Sequence, residues 1–398
     1  MNCGKDRGWT GGHKCTIEPA RRHALGYADV VRGQAISTLI AETKDHQFHS
    51  LDMLRGVAAI AVVGRHFDGP LSRLFPHSYL AVDLFFALSG FVIALRYETR
   101  LRSDLGWARF MRIRLIRMYP MYMIGTLLTA LSIIALYHVQ NRPIDSFRFI
   151  ASLAAATLFL PTPRSLSFNE IQLFPFNFPA WSLCWELVVN GLYALVVRRL
   201  SDAVLMAIAA TGALLLLGAA AMYGSLDAGY DFVTFWGAPL RVIYSFFIGI
   251  ALFRLWSSGR MRWLRMPPLV VAALLLASFA VRPANQAIYD LMVVLVGFPM
   301  LILAATKEPS ARLLPLFAVL GTVSFPIYAL QAAFQRPEMF VSPLVQSRLP
   351  GGALLVELLF IAGMIVVALL TERYVDQPVR KWLRARARRY DARNSSAR

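Results

Sequence analysis

Long apolar runs, many near the length that crosses a bilayer, recur along this 398-residue chain and constrain its fold more than any other feature. They fall at about 51–67, 79–97, 119–138, 181–198, 202–223, 234–256, 267–282, 288–306, 312–334 and 352–374. A helix needs roughly 20 mostly apolar residues to cross the hydrocarbon core. A soluble domain carries about 25% charged residues, whereas this chain carries 16%. The runs predict an all-α, polytopic membrane helical bundle of about ten transmembrane helices.

Charge sets the expected threading. The run at 148–160 has the length of a re-entrant or interfacial segment. If it does not span, both termini face the cytoplasm, and the inner segments hold 31 of the 41 Lys and Arg residues. If it spans, several basic loops turn outward, against the positive-inside tendency. The net charge of +18 then reflects cytoplasmic loops and not a nucleic-acid partner. Residues 139–180 become one long outer loop, broken by Pro161, Pro163, Pro175 and Pro179; loops of that length in compact proteins are usually functional.

The expected division is a polar, partly disordered cytoplasmic tail at 1–49, a membrane domain at 50–376 and a basic cytoplasmic tail at 377–398. The first fifty residues do not read as a signal peptide. Cys3, Cys15 and Cys184 imply no disulfide framework, and His13 beside Cys15 lacks metal-ligand spacing. The C-terminal "VRKWLRARARRYDARNSSAR" reads as an anchor to anionic membrane lipids.

Ionisable residues inside a span cost roughly 2.5–3.5 kcal/mol or more, which makes each one a functional candidate. In "LDMLRGVAAIAVVGRHF", Arg55 and His66 are eleven residues apart, almost three whole turns, so they project from nearly the same face. With the N-terminus inside, Arg55 lies near the cytoplasm and His66 near the outer surface. A snorkelling anchor and a backbone-bonded imidazole are the ordinary alternatives. Arg65, about 100° round, is expected to snorkel. Asp83 interrupts the second span and either pairs with an arginine or takes part in chemistry, while Ser89-Gly90 allows close helix packing. Arg114 and Arg117 share a face just before the third span; they fit phosphate recognition and also an ordinary positive-inside flank. In "FPAWSLCWELVVNGLYAL", Trp181 and Trp185 suit an interfacial belt. Glu186 lies below Ser182 on one face and is expected to pair with His66 as base and orienter.

These pieces together resemble the integral-membrane acyltransferase family three, which includes nodulation-factor, exopolysaccharide and O-antigen acyltransferases. The family's L-D-x-L-R-G start and its Arg-x10-His pair are matched by Leu51, Asp52, Leu54, Arg55, Gly56 and His66. "AVDLFFALSGFVI" is similar to its second helix. Arg114, Arg117, Met118, Pro120 and Tyr122 match a third motif, and Pro179, Trp181, Ser182, Leu183, Trp185 and Glu186 a fourth. "SFPIYALQ" keeps Ser324 and Tyr328 but has Gln331 where the family has histidine, leaving that position a hydrogen-bonding role. "VDQPVRKWLR" is similar to the family's exit from the last helix, with Asp376 in place of Glu.

The resemblance implies an enzyme of a bacterial inner membrane. It would move an acyl group, commonly acetyl, from acyl-coenzyme A to a hydroxyl of a carbohydrate or glycolipid, with no permanently bound cofactor and no metal. The implied catalytic residues are His66, Glu186 and Arg55, with Arg114, Arg117 and Tyr122 toward the donor. Asp83, Ser182, Trp185, Tyr328 and Gln331 would line the substrate site. The rival expectations are a flippase or transporter, whose intramembrane charges line a pathway, and a purely structural or sensory membrane protein.

Overall fold

Lipid is as apolar as leucine, so membrane helices gain by close packing and polar contacts more than by hydrophobic burial. The computed structural model describes residues 48–67, 69–349 and 351–396. The tail read at 1–49 thus lies, up to residue 47, outside the described residues, as do Cys3, His13 and Cys15. The described chain is helical, and its β-structure is a lone antiparallel bridge between Gln172 and Asp231.

In order, the main helices are α1 (His49–His66), α2 (Ala81–Arg102), α3 (Trp107–Val139), α4 (Ser146–Thr157), α5 (Ala180–Val196) and α6 (Asp202–Tyr223). Then come α7 (Gly237–Ser257), α8 (Pro268–Ala280), α9 (Gln286–Ala304) and α10 (Leu314–Gln346). Finally α11 (Gly352–Thr371) continues through a π-helical turn at Glu372–Asp376 into α12 (Gln377–Ser396). Eight helices among the described residues are long and apolar enough to cross a membrane. The other two expected spans are also helices: α1, interrupted by Asp52, Arg55 and Arg65, and α8, with 13 residues. The run at 148–160 became α4, whose 12 residues extend only about 18 Å, well short of a roughly 30 Å core.

Two boundaries moved. The stretch "FMRIRLIR", expected as a flank before the third span, lies inside α3, so its arginines belong to the helix bundle. The basic C-terminal segment forms α12, which returns along the first turns of α3: Arg112 donates to Asp391 at 2.7 Å and packs on the Tyr390 ring.

Small residues mark where helices touch. A Cβ on Gly56 of α1 would stand 2.6 Å from Leu320 Cβ of α10, and one on Gly321 of α10 would meet Asp52 Cβ at 2.6 Å. The same reciprocity joins α2 to α7, where Gly90 lies on the Phe246 carbonyl and Gly249 on the Ala87 carbonyl. Helix α10 packs on α1, α3 and α11, and α7 packs on α2 and α6. α5 lies against α3, α2 and α7 and so bridges the two groups.

A buried ion pair locks α2 to α7. Arg241 donates to Asp83 through Nη2 at 2.6 Å and Nε at 3.1 Å, and Ser245 Oγ donates to the same carboxylate at 3.1 Å. Arg241 also donates to the carbonyls of Ala228 at 2.8 Å and Tyr79 at 3.1 Å. The two side chains are 1% and 0% exposed. The pairing expectation for Asp83 therefore describes its place, and its carboxylate faces Arg241 and Ser245 instead of a substrate. Asp83→Leu, which strands the buried guanidinium, is expected to lower stability by about 3–5 kcal/mol, read by thermal unfolding in detergent. Adding Arg241→Leu should recover only part, since the Ala228 and Tyr79 carbonyls then lose their donor.

Candidate functional site

Two cavities adjoin where the helix groups meet, and they share Val82 and Tyr328 in their walls. The smaller, about 40 Å³, is lined by Arg55 of α1, Phe85 and Phe86 of α2, Ser182 and Glu186 of α5, and Ser324 of α10. The larger, about 330 Å³, takes Arg65 and His66 of α1, Trp181 of α5 and Arg241 of α7, with Gln331 and Gln335 of α10. Between them, Ser182 Oγ and Tyr328 Oη share a hydrogen bond of 2.7 Å. Tyr328 packs edge-on against Phe85 at 5.5 Å. This hydroxyl pair forms part of the boundary between the two spaces.

Helical periodicity explains why α1 serves both. Arg55 and His66, close to one face, line the smaller and the larger cavity respectively, about 16 Å apart along the axis. His66 Nδ1 is 2.7 Å from the Val62 carbonyl. A carbonyl only accepts, so Nδ1 carries a proton, and in the neutral form of the ring the lone pair lies on Nε2. Gln335 Nε2 donates to the His66 carbonyl at 2.9 Å, and Phe178 packs on the ring at 4.6 Å. The charged neighbours of His66 are Arg65 and Asp227.

Three expectations are corrected here. Glu186 does not orient His66: it accepts from Arg114 Nη2 at 2.7 Å and from Ser89 Oγ at 2.6 Å, because the nearest cation captures the carboxylate. Arg65 does not snorkel; it pairs with Asp227, donates to the Pro76 carbonyl at 3.2 Å and lies over the Tyr79 ring at 5.0 Å. Trp181 is not an interfacial residue: it is 5% exposed, under the Arg241 guanidinium at 5.5 Å.

Other candidates fall apart from the cavities. Tyr122 is 0% exposed and donates to the Ala156 carbonyl at 2.7 Å, which ties α4 to α3. It lies five residues beyond Arg117, about 140° round the helix, so it points away from the arginines. Trp185 is half-buried against the Phe235 ring at 6.1 Å. Arg114 is buried and committed to Glu186, whereas Arg117 is exposed. Around Arg117 gather Arg114, Arg55 and Arg380, a basic end of the bundle. Arg380 itself pairs with Glu372 and, at 2.6 Å, with Asp376, which the π-helical turn presents on the same side.

The long loop at 139–180 is ordered and contributes Gln172, Phe178 and Pro179 to the larger cavity. It is stitched to the segment after α6, where Phe232 N–H donates to the Ile171 carbonyl at 3.3 Å. That second segment supplies Asp227 and Tyr230, which the sequence did not single out. Burial, with the Asp227 and Asp231 carboxylates nearby, pushes the Tyr230 phenol above its ordinary value, so it stays a hydrogen-bond donor. Asp227 could not be found by periodicity, because its partner Arg65 lies 162 residues away.

No solved structure matches the chain. It is similar to "Protein 2 in picA locus" of Rhizobium radiobacter, with 38% identity over 193 residues, 46% of this chain and 100% of the relative. A family model described as an acyltransferase domain, that of acyltransferase family three, matches residues 48–373. That match takes in α1 with Arg55 and His66, the arginines of α3, and both cavities: the chain belongs to acyltransferase family three and is a multi-pass membrane acyltransferase.

Proposed function

We propose that the protein transfers an acetyl group from acetyl-coenzyme A to a hydroxyl of a carbohydrate or glycolipid in a bacterial inner membrane. The observation that carries this reading is the pair of adjoining cavities, one reaching Arg55 and the other holding His66 with Nδ1 tied to the Val62 carbonyl. The basic end suits the phosphates of the donor, since planar guanidinium groups bind phosphate in bidentate fashion. Arg117 and Arg55 fill this role, and Arg114 keeps Glu186 neutralised beside them. By the positive-inside tendency this end faces the cytoplasm. The acyl-bearing arm then runs along α1 past Ser182 and Tyr328 toward the larger cavity.

His66 acts there as general base. The acceptor oxygen attacks the thioester carbonyl carbon while its proton passes to Nε2. The carbon–sulfur bond breaks, and the imidazolium returns the proton to the departing thiolate. The Val62 carbonyl holds the ring in the tautomer this needs, and Phe178 restricts its rotation. The aromatic rings of Phe178 and Trp181, with Gln172, Gln335 and Tyr230, give the larger cavity the mix of apolar faces and hydrogen-bonding groups that suits a sugar.

Mass spectrometry of cell-surface glycans, with and without the protein, should show a shift of one acetyl group that His66→Ala abolishes at normal expression. General acid–base catalysis contributes about a hundredfold or more, so transfer at the wild-type rate by His66→Ala would refute its role. Movement of a lipid-linked sugar without release of coenzyme A would instead favour a flippase. Arg55→Ala and Arg117→Ala are each expected to raise the KM for acetyl-coenzyme A roughly tenfold, the loss of one charge-assisted hydrogen bond. Unchanged donor KM in both variants would remove the phosphate assignment.

A further inference from the structure

Helix α12 lies beyond residue 373, where the family match ends, so the match assigns it no role. Its placement against α3 is fixed at two points. Arg380 stands at the basic end near Arg117. Eleven residues on, Asp391 pairs with Arg112 at 2.7 Å and Arg109 at 3.4 Å, both on the first turns of α3. Eleven residues make three whole turns to within about 20°, so one face of α12 follows α3 from Arg380 to Asp391. Leu383 and Ala387, both half-buried, lie on that face.

Arg384 and Arg388 continue from Arg380 at i+4 and i+8, about 40° and 80° round the helix, on the flank of the same face. Both are exposed. The carboxylates of this stretch are engaged elsewhere, Glu372 and Asp376 by Arg380 and Asp391 by the α3 arginines. Arg384 and Arg388 thus have no ion-pair partner among the described residues. Arg386 and Arg389 are exposed too, but they lie about 120° and 180° from Arg380, on the far side.

Coenzyme A carries phosphate in two places. Its diphosphate is assigned above to Arg55 and Arg117, and its 3′-phosphate sits one ribose further from the acyl end. The stripe from Arg380 has the same order: it starts beside Arg117 and steps away in helical turns of about 6 Å. We propose that Arg384 and Arg388 bind the 3′-phosphate of the donor, so that α12 selects coenzyme A over a donor lacking that group. The assignment rests on the donor site described above. Both arginines bind substrate far from the reacting atoms and take no part in the chemistry.

Binding of coenzyme A and of dephospho-coenzyme A to the detergent-solubilised full chain tests this, read as thermal stabilisation at low ionic strength. The wild type should bind coenzyme A about tenfold more tightly, the effect of one charge-assisted hydrogen bond, and added salt should shrink the preference. Arg384→Ala/Arg388→Ala should bind both ligands with the affinity the wild type shows for dephospho-coenzyme A, whose unchanged value reports an intact fold. Arg386→Ala/Arg389→Ala, which removes the same charge from the far side, should keep the preference. Equal binding of the two ligands by the wild type overturns the proposal, as does loss of the preference in both double variants. Stabilisation by phosphatidylglycerol that Arg384→Ala/Arg388→Ala loses, with its coenzyme A preference intact, assigns the pair to lipid headgroups and overturns it as well. Binding of neither nucleotide by the wild type removes the donor site at Arg55 and Arg117 itself, and this inference with it.

Discussion

The ion pair between Asp83 and Arg241 sets the frame on which the larger cavity is built. One guanidinium reaches the α2 carboxylate, the Ala228 carbonyl after α6 and the Tyr79 carbonyl before α2, while its carbon chain belongs to α7. Trp181 of α5 lies over the same group. Four separate pieces of chain are therefore held by one cation that is almost wholly buried. Desolvating both charges is expensive, and the recovery depends on filling the guanidinium's donors, as these contacts do. Such an arrangement has one good geometry, so it fixes where Tyr79 and Trp181 sit in the cavity wall.

From that anchor a second layer follows. Tyr79, held by its carbonyl, donates its hydroxyl to the buried Asp290 of α9, and Asp290 also accepts from Leu226 N–H at 2.8 Å. Arg65 lies on the Tyr79 ring and pairs with Asp227, one residue beyond Leu226. The charges around His66 are thus balanced by a chain of contacts that begins at Asp83. Each member restrains the next.

Much of the frame was legible from residues alone, because apolar length and helical period are local properties. Spans such as 202–223 and 352–374 coincide closely with α6 and α11, and the three-turn spacing of Arg55 and His66 does place them in adjoining cavities. Gly90 was read as a packing residue, and it meets the Phe246 carbonyl. What escaped was the choice of partner. Glu186 had several cations within plausible reach, and only the path of α3 through the bundle decides for Arg114 over His66. Arg65 looked like a snorkelling residue because nothing local announces Asp227. The 139–180 loop was recognised by its length and prolines, but its pairing with the segment after α6 is a long-range event with no periodic signal.

The balance of charge separates the two ends of the bundle chemically. At the larger cavity Arg65 is matched by Asp227 and Arg241 by Asp83, so each wall cation has its own counterion. A phosphate or carboxylate entering there would have to break a pair and leave a partner exposed in a low dielectric, a cost that a hydroxyl-bearing ligand avoids. At the other end Arg55 and Arg117 have no ion-pair partner among the described residues, while Arg114 and Arg380 are matched. Two like charges near each other, with the neighbouring Glu186 carboxylate committed to Arg114, gain from an anion that bridges them. One end is therefore electrostatically suited to a polyanion and the other to a neutral, hydroxyl-rich ligand, with Ser182 and Tyr328 at the junction. The proposed transfer between an anionic donor and a neutral acceptor would draw on that asymmetry, which comes from which arginines the fold leaves unmatched.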